Sequence, residues 1–154
     1  MSIFVLAFLM GIVAGLRSMT APAVVSWAAR LGWIHLEATP LAFMGYAATP
    51  WIVSVLALAE LVADQLPRTP SRKTPGPFVA RIVMGALCGA ALGATADETL
   101  GGIAAGVAGA VVGTLGGYEL RMRLARAAGR DLPIALLEDA LAIGGGLLIV
   151  SRLF

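Results

Sequence analysis

Cysteine is nearly absent. Cys88 stands alone among 154 residues, which excludes an intrachain disulfide framework and any zinc site built on paired cysteines. Charge is scarce too: Asp, Glu, Lys and Arg make up 13% of the chain, against about 25% in a soluble domain. No basic stretch interleaved with aromatics is present, so nucleic acid is not an expected partner. There is no HExxH, no nucleophile beside a base, no phosphate-cradling glycine loop ending in lysine and no dinucleotide fingerprint. An enzyme is therefore not expected, nor a tightly bound cofactor.

What fills the chain instead is apolar: 59% of residues are hydrophobic and the mean hydropathy is +0.91. That composition describes an integral membrane protein whose partner is the lipid bilayer. At about 20 residues per crossing the length accommodates roughly four or five helices, so residues 1–154 read as a single all-α transmembrane bundle. The opening "MSIFVLAFLMGIVAGLRS" lacks a cationic leader and a small-x-small cleavage site, and reads as a retained first helix.

Punctuation along the chain sets the expected spans. Ser2 to about Arg30 is interrupted by "GLRSMTAP", where proline removes a backbone donor and serine or threonine can restart a helix, so the first helix is expected to be broken. A second span runs from Leu41 or Tyr46 to Leu66, followed by the loop "PRTPSRKTPG". The third, about Phe78 to Thr95, carries Gly85, Gly89 and Gly93. The fourth, about Leu100 to Leu124, carries Gly102, Gly106, Gly109, Gly113 and Gly117. Such small-residue ridges let helices approach closely where lipid gives no hydrophobic drive; they are expected to pack on each other or across a homo-oligomer interface. The last span, Pro133 to Val150, is expected to be interrupted at Gly144, Gly145 and Gly146.

With five crossings, Arg68, Arg72 and Lys73 share one side with Arg121, Arg123, Arg126 and Arg130, and the positive-inside rule makes that side cytoplasmic. The N-terminus is then inside. Four crossings, with the segment after Arg17 lying in the interface, would move it out. A short internal echo, "GIVAG" at Gly11 against "GAVVG" at Gly109 and "ALAE" against "ALLE", raises the alternative of an inverted repeat.

Two acid pairs stand out. Glu60 and Asp64 share a helix face at i, i+4; Glu138 and Asp139 lie about a turn inside the last helix. An ionised acid near the bilayer centre costs about 2.5–3.5 kcal/mol on insertion scales, so partners are required. One reading is a cluster of all four around a hard or intermediate cation such as magnesium, manganese or ferrous iron, or around a shared proton. The other is plain ion pairing, Asp64 with Arg81 and Glu119 or Glu138 with Arg121. Arg17, beside the helix break, either neutralises an acid, meets an anionic substrate or snorkels to the surface. Met10 and Met19 read as packing more readily than as thioether ligands, Cys88 as one more small side chain in a glycine ridge, and His35 beside Glu37 as a loop pair. Ser18 to Pro22 and Gly144 to Gly146 are the candidate hinges.

"GLRSMTAPAVVSWAARLG", "ELVADQLPRTP", "ARIVMGALCGA" and "RDLPIALLEDALAI" together resemble the small bacterial membrane proteins grouped as domain of unknown function 4126, over nearly the whole chain. That resemblance implies a bacterial inner-membrane protein of four or five helices, places Arg17, Glu60, Asp64, Arg81, Glu138 and Asp139 on the family's polar pattern, and links related four-helix proteins with metal transport, iron above all. The chain departs from longer members in its compact Arg- and Pro-rich loop after Pro67. The functional expectation is a small transporter or channel for a cation, with a divalent metal such as iron as its substrate; a non-transporting scaffold and a protein handling lipid phosphate through Arg17 and Arg81 are the alternatives.

Overall fold

A computed structural model describes residues 1–64 and 75–153. The order is α1 (Ile3–Leu16), α2 (Thr20–Arg30), a 3-10 turn (Ala42–Gly45), α3 (Thr49–Ala63), α4 (Pro75–Ala94), α5 (Thr99–Ala128) and α6 (Leu132–Val150). Among the described residues there are six α-helices where four or five were expected, because the broken first segment counts as two. The expected loop with Arg68, Arg72 and Lys73 falls outside the described residues.

Three helices, α4, α5 and α6, are long and apolar enough to cross a membrane. Their outward side chains suit lipid: Val79 and Val83 on α4, Val112 on α5 and Leu136, Leu141 and Leu148 on α6 are exposed, a distribution that water would penalise at about 25 cal/mol per Å2. The protein is a helical membrane protein. At 1.5 Å per residue, the 30 residues of α5 reach about 45 Å, longer than the hydrocarbon core, so α5 carries Arg121, Arg123 and Arg126 beyond its apolar part. Neither α1, with 14 residues, nor α2, with 11, is long enough to span alone.

The centre of the bundle is α1, α4 and α5, packed through glycine. A Cβ on Gly85 would stand 2.7 Å from the Gly106 carbonyl oxygen, and one on Gly15 would stand 2.5 Å from the Ala110 carbonyl oxygen. Backbones therefore touch where side chains normally would, the device that replaces hydrophobic drive inside lipid. Both expected ridges do meet, within one chain, and α1 joins them. The echo "GIVAG"/"GAVVG" has a concrete role here: Gly11 abuts Gly106 and Ala110, while Gly109 and Gly113 abut Phe8, Gly11 and Ile12. The two motifs pack directly on each other.

Against this core lie α2, α3 and α6. Trp27 of α2 donates to Ser54 Oγ of α3 at 2.9 Å and meets Trp51 edge-on at 5.1 Å. Gly146 of α6 lies 3.1 Å, at a notional Cβ, from Val24. Two boundaries differ from expectation. α3 starts at Thr49 with Pro50 in its first turn, where a missing N–H costs nothing; Ala42–Gly45 forms a separate turn. α6 runs unbroken through Gly144, Gly145 and Gly146. Glycine costs about 1 kcal/mol in a helix but keeps its N–H, and inside lipid an unsatisfied backbone costs more, so the triplet does not break the helix.

Candidate functional site

The break itself is three residues, Arg17, Ser18 and Met19, between the end of α1 and the start of α2. Arg17 is extended, at φ −141° and ψ 111°. A break inside the bundle exposes carbonyls at one helix end and N–H groups at the other, which must be satisfied from elsewhere. Charged side chains do both jobs. Arg81, from α4 and 4% exposed, donates through Nη1 to the carbonyls of Gly15 and Leu16, each at 2.7 Å. Thr114 Oγ1 on α5 adds a bond to Gly15 O at 3.3 Å. On the other side Glu60 of α3 accepts from Ser18 N–H and Ser18 O–H through Oε1 and from Met19 N–H through Oε2, all at 2.8 Å.

The signs follow the helix dipoles. A cation sits at the negative end of α1 and an anion at the positive end of α2, each arrangement worth about 0.3–1 kcal/mol and up to about 2 when partly buried. The two are also near each other, Arg81 Nη2 to Glu60 Oε1 at 3.8 Å.

Arg17 is the centre of the site. It is fully buried, and its two terminal nitrogens pair with different helices, Nη1 with Asp64 at the end of α3 and Nη2 with Asp139 of α6. Of its expected readings, neutralising an acid is the one observed. Asp64 pairs with Arg17 where Arg81 was expected, because Arg81 is engaged by the α1 carbonyls. Glu138 faces away toward Arg121 at 3.5 Å, and Arg121 also holds Asp131, at the start of α6, through two bonds of 2.7 and 3.0 Å. Glu119 pairs with Arg123 instead.

The four acids proposed from sequence are thus brought into one region yet do not form one cluster. Arg17 lies between Asp64 and Asp139, Glu60 is turned onto the backbone, and Glu138 belongs to Arg121. Among the described residues no three Asp, Glu, His or Cys side chains converge as metal ligands. Among the described residues Arg17 is shared by two carboxylates, Asp64 and Asp139, and Glu60 lies near Arg81.

Other sequence candidates lie elsewhere. Met10 is core and Cys88 is sealed in the glycine seam. His35 and Glu37 are exposed in the α2–α3 connection. Pro22 is buried in the first turn of α2, where its missing donor is harmless. Sequence reasoning missed the use of Ser18 as a donor, the carbonyl-capping of Arg81, Thr114 and Asp131. A hydroxyl in the glycine ridge at Thr114 and an acid just before Pro133 were the signals available.

No curated protein and no solved structure matches the chain. A family profile does, over residues 4–151, and the chain accordingly belongs to the family described as domain of unknown function (DUF4126).

Proposed function

We propose that the protein is a small cation transporter of the bacterial inner membrane, in which Asp64 and Asp139 hold the transported ion in alternation with Arg17. The observation that carries this reading is the fully buried Arg17 shared by two carboxylates from two helices at a helix break. Intramembrane ionisable groups mark pathways by default, and transporter sites favour discontinuous helices. Two aspartates facing one guanidinium would be matched by a divalent cation that displaces it, and carboxylate oxygens suit magnesium, manganese or ferrous iron.

In this cycle Arg81 and Glu60 keep the two half-helices capped while Arg17 swings between its acids and the open site. The break from Arg17 to Met19, extended at Arg17, is the hinge. The test is uptake of ferrous iron, manganese and magnesium into proteoliposomes carrying the wild type or Asp139→Asn, with equal folding confirmed. Selective uptake lost in the variant is the expected result.

A scaffold without transport is the second reading, favoured by the observation that each of the four acids has a basic or backbone partner. It predicts no flux of any of the three ions in the wild type.

A further inference from the structure

A second polar feature lies at the end of the bundle away from the break. There α1 begins at Ile3, while α4 ends at Ala94 and α6 at Val150. With 20 and 19 residues, α4 and α6 are each about 30 Å long, the thickness of the hydrocarbon core. The residues that follow their last turns therefore sit at the level of the lipid headgroups. Between these ends and the segment after α2 is a cavity of about 390 Å3, with Ile3, Trp33, His35, Thr95, Arg152 and Leu153 in its walls. Its size falls in the usual range for small-ligand sites, about 300–1,000 Å3.

The chemistry of the cavity has two poles. Arg152 and His35 are exposed to it and form one. Among the described residues neither side chain has an ion-pair or hydrogen-bond partner, and no acidic side chain lines the cavity; Asp97 and Glu98 come after it, in the turn before α5. Thr95 and Ala96 form the other pole. Their carbonyls accept no hydrogen bond from another described residue, and they follow the C-terminal, negative end of α4. Arg152 also complements the carbonyl end of α6, a structural use that explains neither the cavity nor the bare carbonyls beside it.

We propose that this cavity binds a phosphate that carries a primary amine, the phosphoethanolamine group, with the phosphate on Arg152 and His35 and the ammonium at the carbonyl end of α4. A guanidinium fork matches phosphate oxygens, an imidazole offers an N–H in either protonation form, and an ammonium donates to carbonyls. A phosphate alone would leave the carbonyls unmatched, and a simple cation would be repelled by Arg152. One group carrying both charges suits both poles. The position at headgroup level, the half-buried Trp33 in the manner of interfacial aromatics and the apolar walls at Ile3 and Leu153 fit that group when borne on a phospholipid. The site is separate from Arg17, Asp64 and Asp139, and it stands or falls independently of the transport reading.

The test titrates the delipidated full chain in detergent with short-chain phosphatidylethanolamine, with phosphatidylglycerol of the same chains and with soluble phosphoethanolamine, and counts bound molecules by native mass spectrometry. One equivalent of phosphatidylethanolamine is expected to bind at least about tenfold more tightly than phosphatidylglycerol, which has the phosphate but no amine. Arg152→Gln should weaken it by about tenfold or more, the scale of one lost charge-assisted hydrogen bond, and Arg152→Lys by less. Arg30→Gln removes an exposed cation at the same end of the bundle but outside the cavity, and should change nothing. His35→Gln leaves the end of α6 untouched and should shift affinity in the same direction as Arg152→Gln, which keeps the test open if the latter fails to fold. Soluble phosphoethanolamine binding with the same dependence on Arg152 assigns the free ester as ligand; binding of the lipid without it assigns the lipid. Equal affinity for the two lipids, or binding indifferent to both Arg152→Gln and His35→Gln, overturns the proposal.

Discussion

The two halves of the bundle are built from opposite materials. In α1, α4 and α5 the contacts are largely glycine backbone on backbone, with Arg81 of α4 capping the carbonyls at the end of α1. At the break, where α2, α3 and α6 meet that trio, the contacts are guanidinium to carboxylate and carboxylate to peptide N–H. Glycine packing in lipid is rigid because nothing can be added and little can slide. Ion pairs are held by charge, and charge is changed by a proton or an arriving cation. The difference teaches where motion can occur: the seam is a frame, and the break is the part that chemistry can reset.

The largest expected effect breaks the frame. Gly106→Leu places a branched side chain against the Gly85 and Gly89 backbone and should cost more than about 3 kcal/mol, the upper range for overpacking; little folded protein should elute from size-exclusion chromatography in detergent. Next, Arg17→Met strands Asp64 and Asp139 without a buried cation. A loss of about 3–5 kcal/mol is expected, read as a drop in thermal midpoint that adding Asp139→Leu partly reverses. Glu60→Gln is milder, because the amide oxygen still accepts one N–H while the charge at the start of α2 is lost; about 1–2 kcal/mol is expected, with faster amide exchange at Ser18 and Met19. The smallest effect sharpens the comparison from the other side. Gly144 has open space around it, so Gly144→Ala should raise stability by up to about 1 kcal/mol through helix propensity. The same change at Gly106 cannot, since a Cβ there strikes the Gly85 backbone.

Much of the frame was legible in the sequence, because a ridge at four-residue spacing has one structural use in lipid. The spans from α4 to α6 follow their apolar runs closely, and "GLRSMTAP" announced the break. The triplet Gly144 to Gly146 misled because glycine signals a turn in water, where backbone groups find other partners, and not in a hydrocarbon layer. The candidate site was legible as a set of residues but not as a set of pairings. Arg17, Arg81 and the four acids were all visible. Which acid meets which arginine depends on how the broken helix turns its free carbonyls toward α4 and its free N–H groups toward α3, and spacing along the chain does not encode that. Thr114 and Asp131 gain their roles only once α5 is laid beside the end of α1 and the start of α6.

The central claim is that the carboxylates around Arg17 form an exchangeable cation site and not a set of fixed struts. The most direct measurement is proton release on adding manganese, ferrous iron or magnesium to the purified full chain at constant pH, compared with Asp139→Asn. Binding of one of these ions with release of protons, both lost in the variant, is the result the account predicts. Absence of binding and of release with all three ions, in a protein that is folded and has Arg17 paired, would contradict it.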